Sequence, residues 1–207
     1  MKQALAAALV LSAALLAGCT TFVHPQGAAN EAAWHERLGQ LEQLRAWHLA
    51  GRIGVVTPHR GGSASLDWEE RGRWMKLSFS GPFGIGAVKL AGTPERFVIT
   101  NSKGREWVTN APASALEQSL GWPVPVASLR YWIVGRPSPD APYRLSLGAR
   151  GLVKSLTQKG WTVRYSAYSP VGGLLLPTRL AASRPGGHVK VIVSKWHLVA
   201  ARSTGSP

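Results

Sequence analysis

From Leu49 to Leu198 the chain is built of short runs rich in β-branched and aromatic residues, broken by Gly, Pro or charged turns. In Ser63-Ala64-Ser65-Leu66-Asp67-Trp68 and Lys76-Leu77-Ser78-Phe79 every second residue is apolar. That period belongs to a strand with one apolar face and one wet face. Arg52–Val56, Ser63–Trp68, Trp74–Ser80, Gly86–Leu90 and Phe97–Asn101 therefore read as antiparallel strands, and Trp161–Tyr168, Leu174–Ala181 and His188–Leu198 as a second group. The apolar face needs a cover, and helical spacing supplies one. Trp34, Leu38, Leu41 and Leu44 recur three and four apart between Asn30 and Trp47. A second helical segment starts at Pro112, carries Ala115, Leu116, Ser119 and Leu120, and ends at Gly121. A third runs from Val126 to Val134, carries Leu129, Trp132 and Ile133, and stops at Gly135. The expected architecture is mainly β with helices (α+β): an open, strongly curved antiparallel half-barrel capped by helices. What fills its apolar interior, helices or a ligand, is the functional question.

No disulfide holds this fold. Cys19 is the single cysteine, which excludes an internal bridge and a thiolate metal cluster. It closes Leu16-Ala17-Gly18-Cys19 at the end of an apolar stretch from Ala4 to Leu16, behind Lys2. The stretch is too short to span a bilayer, which takes roughly 20 apolar residues. The arrangement resembles the cleavage and acylation signal of bacterial lipoproteins. That resemblance implies removal of residues 1–18 and an N-acyl diacylglycerol on Cys19, with no other cofactor. Thr20, where an Asp would mark inner-membrane retention, points to the outer membrane, facing the periplasm. The domain reading is then a signal over 1–18, an acylated tether over 19–29, a single domain over 30–200 and a disordered tail over 201–207.

Twenty-four basic side chains against ten acidic ones give a net charge of +14. Such an excess calls for an anionic partner. An export signal argues against nucleic acid, which leaves anionic phospholipid head groups or an acidic partner protein. The plain alternative is a generally basic surface, since the bases are scattered singly. Nine tryptophans spread along the chain suit a core or a pocket for greasy ligands. Enzyme motifs are absent: there is no Gly-x-Ser-x-Gly elbow and no phosphate-binding glycine loop, and Gly84-Ile85-Gly86 lacks dinucleotide spacing. His35, His48, His59, His188 and His197 stand at no metal-ligand spacing from one another. The chain reads as a non-enzyme without a metal.

One loop breaks the pattern. Gly81-Pro82 punctuates a strand, yet Phe83 and Ile85 stand at the apex, where polar residues are expected. An apolar tip in solvent is costly unless something apolar receives it. A bilayer is one receiver, and the protein's own core is the other.

Several short pieces, in order, resemble the LolB family of outer-membrane lipoprotein receptors and insertases. They are Leu49-Ala50-Gly51-Arg52-Ile53, Ser65-Leu66-Asp67-Trp68, Gly81-Pro82-Phe83-Gly84, Leu120-Gly121-Trp122-Pro123-Val124-Pro125, Leu129-Arg130-Tyr131-Trp132-Ile133-Val134-Gly135, Gln158-Lys159-Gly160-Trp161 and Leu176-Pro177-Thr178-Arg179-Leu180. The resemblance implies an open barrel of the LolA/LolB type whose apolar cavity holds the acyl chains of a client lipoprotein. Clients would come from the LolA-like periplasmic carrier and pass without ATP into the inner leaflet of the outer membrane. By period and by match the cavity residues are Trp68, Leu77, Trp107, Leu129, Trp132 and Tyr165. The membrane-insertion loop would comprise Pro82, Phe83, Gly84 and Ile85, with Phe83 where a Leu is familiar. The partners implied are the carrier, acylated clients and a phospholipid membrane, with the chain a monomer and the basic excess steering an acidic carrier mouth. A structural outer-membrane lipoprotein with a filled interior, and a periplasmic binder of another lipid, are the competing readings.

Overall fold

The computed structural model describes residues 25–59, 61–81, 86–93, 95–111, 113–115, 118 and 125–199. Helix α1 (Pro25–Gln43) leads into a run of six strands: β1 (Ala46–Val56), β2 (Gly61–Arg71), β3 (Trp74–Ser80), β4 (Val88–Thr93), β5 (Arg96–Thr100) and β6 (Glu106–Thr109). A connection carrying the short helix α2 (Val126–Trp132) follows. Five more strands complete the chain: β7 (Tyr143–Leu147), β8 (Val153–Gln158), β9 (Trp161–Val171), β10 (Leu174–Arg184) and β11 (Gly187–Leu198). All eleven form one antiparallel sheet in the order β6-β5-β4-β3-β2-β1-β11-β10-β9-β8-β7. The first meander runs outward from β1 to one edge. The second starts at the opposite edge and returns, so that β11 closes on β1 at the centre.

This topology forces the connection between β6 and β7 to cross from one edge to the other, and it carries α2 over one face. Arg130 of α2 bonds to Glu70 of β2, while Trp132 reaches Gln158 at the end of β8. Those strands stand five steps apart in the sheet, about 24 Å if it were flat. One helix of seven residues is bonded to both, and the sheet curls around it, as the half-barrel reading expects.

Two glycines in the motifs show what the backbone requires. Between Ala50 and Gly51 the β1–β11 register skips Ser194, a bulge whose hydroxyl donates to the Ala50 carbonyl at 3.0 Å. A Cβ on Gly51 would stand 2.3 Å from the Ile192 carbonyl oxygen, so no other residue fits there. The bulge bends the sheet at its middle. At Lys159-Gly160 both φ angles are positive, 51° and 74°. Gln158 and Trp161 pair directly across them, as a two-residue hairpin turn demands.

The helix expected over Asn30 to Trp47 lies instead at Pro25–Gln43, so its first turns occupy part of the stretch read as tether. Trp47 belongs to β1, where it and Leu49 alternate onto the buried face. β6, β7 and β8 were not foreseen. The third helical segment is α2, ending two residues earlier than expected. Of the segment beginning at Pro112, residues 113–115 are helical, and Pro112, Leu116, Ser119, Leu120 and Gly121 lie outside the described residues. The signal over 1–18 and the tail over 201–207 lie outside them too. Among the described residues no helix is long and apolar enough to cross a membrane.

Candidate functional site

Residues directly opposed in an antiparallel sheet share a face, and here the register draws rows across the concavity. One row reads Trp196, Leu49, Trp68, Leu77, Leu90, Ile99, Trp107, from β11 through β1 to β6. Three of the six expected cavity residues, Trp68, Leu77 and Trp107, thus stand in one line. Trp68 and Leu77 are fully buried, and Trp107 at the edge is half-buried. Trp47 completes an aromatic cluster, its ring centre 5.4 Å from those of both Trp68 and Trp196.

Helix α2 sits on this floor. Leu129 and Trp132 are buried, and the Tyr165 hydroxyl donates to the Trp132 carbonyl at 2.9 Å. Burial pushes the Tyr165 hydroxyl well above the usual tyrosine range, so it stays a donor. The remaining three expected cavity residues therefore meet the floor through the helix. α1 covers the same side, with Trp34 and Leu41 in the common core and the Arg37 guanidinium donating to the Leu175 carbonyl. Arg37 also lies 5.7 Å over the Tyr168 ring, and burial lowers its pKa.

Two polar devices fasten α2, and neither was foreseen. On one side of the helix Arg130 pairs with Glu70, side chains 10% and 6% exposed, and donates to the Gly72 carbonyl at 2.9 Å. The other Glu70 oxygen accepts from Trp68 Nε1 at 3.2 Å. Burial lowers the Arg130 pKa, partly offset by the neighbouring Tyr131. On the other side Gln158 is completely used. Its oxygen accepts from Trp132 Nε1 and from the Ser138 N–H, both at 2.9 Å, and its nitrogen donates to the carbonyls of Ser138 and Ala141 at 2.7 and 2.8 Å. Gln158 lies in a motif quoted above, but nothing in its spacing announced this role.

Between α2 and the sheet remains a cavity of about 280 Å³, walled mainly by Met75, Phe97, Val126, Ala127, Tyr131 and Pro139. A second recess, of about 350 Å³, is polar and holds Arg45, Arg73, Arg136 and Glu42. Arg136 stacks on Tyr131 at 4.8 Å. Among the described residues no three His, Cys, Asp or Glu side chains gather as metal ligands. His48 lies instead 2.7 Å from Asp67 at the surface. Cys19, Pro82, Phe83, Gly84 and Ile85 lie outside the described residues.

The arrangement is a concave apolar sheet face covered by α1 and α2, and comparison with known proteins agrees with that fold. A LolA superfamily protein of Nitrosomonas europaea superposes with a TM-score of 0.53 over 84% of this chain and 94% of its own, at 8% identity. A DUF1329 family protein of Desulfovibrio piger gives a TM-score of 0.51 over 88% and 95%, at 9% identity. Likeness at such identity speaks for the fold. Sequence speaks for the family. A Pseudomonas fluorescens protein named outer-membrane lipoprotein LolB is 36% identical over 186 residues, covering 88% of this chain and 91% of its own. A protein of the same name from Stutzerimonas stutzeri is 33% identical over 199 residues, covering 95% of each. The family profile described as "Outer membrane lipoprotein LolB" matches residues 45–196, from the start of β1 into β11, and the chain belongs to the LolB family.

Proposed function

We propose that this protein is an outer-membrane lipoprotein receptor: anchored through an acylated Cys19 and facing the periplasm, it accepts lipoproteins from a LolA-like carrier and releases them into the inner leaflet. Family membership supports the receptor role. The observation that carries the acyl-chain reading is a concave apolar sheet face that is covered by helices α1 and α2 and keeps a cavity under α2. A cavity of about 150 Å³ admits one benzene ring. The 280 Å³ under α2 thus holds about eleven carbons, fewer than one long acyl chain. Acceptance of a client therefore requires α2 to yield, so that the space between its Val126, Ala127 and Tyr131 and the sheet's Met75 and Phe97 widens for the incoming chains.

No bond is made or broken in this work, and the chain acts as a binder, not an enzyme. Each buried CH₂ contributes about 0.8 kcal/mol, so chains pass spontaneously along sites of equal or greater apolar burial, with the bilayer as the last. Release needs contact with that bilayer, and Phe83 with Ile85, in the segment between β3 and β4, has the apolar character to make it. The full acylated protein, reconstituted in liposomes and given a carrier loaded with an acylated client, should move the client into the lipid. Phe83→Glu should leave acceptance within about twofold and cut delivery at least tenfold, since a charge at an apolar contact costs roughly 2 kcal/mol or more. Undiminished delivery by Phe83→Glu would remove the loop from the mechanism.

A further inference from the structure

The chain holds no Asp or Glu after Asp140, although ten Lys and Arg follow it. Strands β7 to β11 and β1 are neighbours in the sheet, and none carries a carboxylate. Arg52, Arg144, Arg164, Arg179, Lys190 and Lys195 are all exposed on these strands. Arg52, Arg164, Arg179 and Lys190 lie on the convex face, opposite α2, because each has a buried neighbour next to it along its strand. The register gathers these four. Arg179, Ile192 and Arg52 stand in one row, and Arg164, Ala181 and Lys190 in the next. Two strands separate the bases within a row, about 10 Å, and two residues separate the rows, about 7 Å. Ile192, 38% exposed, sits between Arg179 and Arg52. Among the described residues none of the six basic side chains forms an ion pair.

From this array we infer that the convex face of β1 and β7–β11 is a docking surface for anionic phospholipid head groups. The inference rests on the lipid-anchored location proposed above. With Cys19 tethered, the start of α1 at Pro25 is six residues on and so lies within about 20 Å of the bilayer whatever path those residues take. Unpaired bases around an exposed isoleucine suit that boundary, where aliphatic stems and Ile192 meet the acyl margin and the charges meet phosphates. The face also points away from the trough a client must enter. These bases are thus placed for the membrane rather than for steering an acidic carrier mouth. Lying on this face would hold the trough towards the periplasm.

The test uses the secreted Cys19→Ala chain, which has no acyl anchor, and flotation with phosphatidylcholine vesicles with and without phosphatidylglycerol. A base beside an anionic surface strengthens binding roughly fivefold. The triple variant Arg164→Glu, Arg179→Glu, Lys190→Glu should therefore bind phosphatidylglycerol vesicles about 100-fold more weakly. A control of equal charge change far from the face, Arg96→Glu, Lys103→Glu, Arg105→Glu, should lose less than about tenfold. Binding that ignores phosphatidylglycerol, or that falls equally in both triples, would overturn the surface. So would a convex triple that still binds vesicles but takes no client from the carrier, since the face would then dock a protein. Failure of the unsubstituted chain to take a client bears on the receptor role and leaves the vesicle result standing.

Discussion

Arg130→Ala should lower stability by about 4 kcal/mol, read as a fall of roughly 10 °C in thermal midpoint with a matching shift in urea. The loss would not measure the attraction between two charges. Both groups are buried, and the wild-type pair already costs desolvation. Removing the guanidinium leaves the Glu70 carboxylate under the helix with the Trp68 N–H as its remaining partner, and takes away the donor that holds the Gly72 carbonyl. Replacing both charges tests this account. Glu70→Leu with Arg130→Met should recover most of the loss, because apolar groups of similar volume need no partners. A single substitution costing less than about 1 kcal/mol would mean that the pair does not fasten α2 to β2.

Gln158→Leu should be of similar size, about 4 kcal/mol, for a different reason. Leucine nearly matches glutamine in volume, so little packing is lost. What is lost is every partner of the Trp132 N–H, the Ser138 N–H and the Ser138 and Ala141 carbonyls at this buried point. Each unpaired buried group costs about 1–3 kcal/mol, less what local relaxation and water recover. Gln158→Glu separates acceptor from donor. It keeps the two accepted bonds but turns a carboxylate oxygen towards two carbonyls. Burial and that repulsion raise the pKa of the new carboxyl in the folded state above its unfolded value, so the folded protein binds more protons. The variant should thus be more stable at low pH and lose stability as pH rises through the folded pKa. Urea titration of the wild type and both variants at several pH values checks the sign. A Gln158→Glu stability that climbs with pH relative to wild type would contradict the assigned orientation of the amide.

Strands whose period shows a buried face were legible in the residues. Ser63 to Trp68 alternates cleanly because β2 is wet on one side and packed on the other. β6 escaped because Glu106–Thr109 is four residues long, too short to show a period. β7 follows a Pro-rich stretch, and its side chains are exposed or half-buried, so its alternation carries little contrast. The start of α1 was missed for the opposite reason: Gln26, Gly27, Ala28 and Ala29 carry no apolar stripe, and only the turns from Trp34 onward do. The six residues expected in the cavity came from alternation, match and aromatic content; five of them are buried and Trp107 is half-buried, and none lines the 280 Å³ cavity. Sequence leaves hidden how they meet. Glu70 and Arg130 are sixty positions apart, and Gln158 is one polar residue at a hairpin end, so only the fold could reveal their partnership. The convex array was half visible, as a long tract without acid. That its bases share one face needed the register.

The measurement that tests the central claim most directly is client transfer in solution. The secreted Cys19→Ala chain is mixed with a LolA-like carrier holding an acylated lipoprotein, and co-purification shows which protein retains the client. The account predicts that the client moves to this chain, because the trough under α2 binds acyl chains and the anchor only locates it. A client that stays on a carrier shown to be competent with another receptor would contradict it, and would leave a structural lipoprotein with a filled interior.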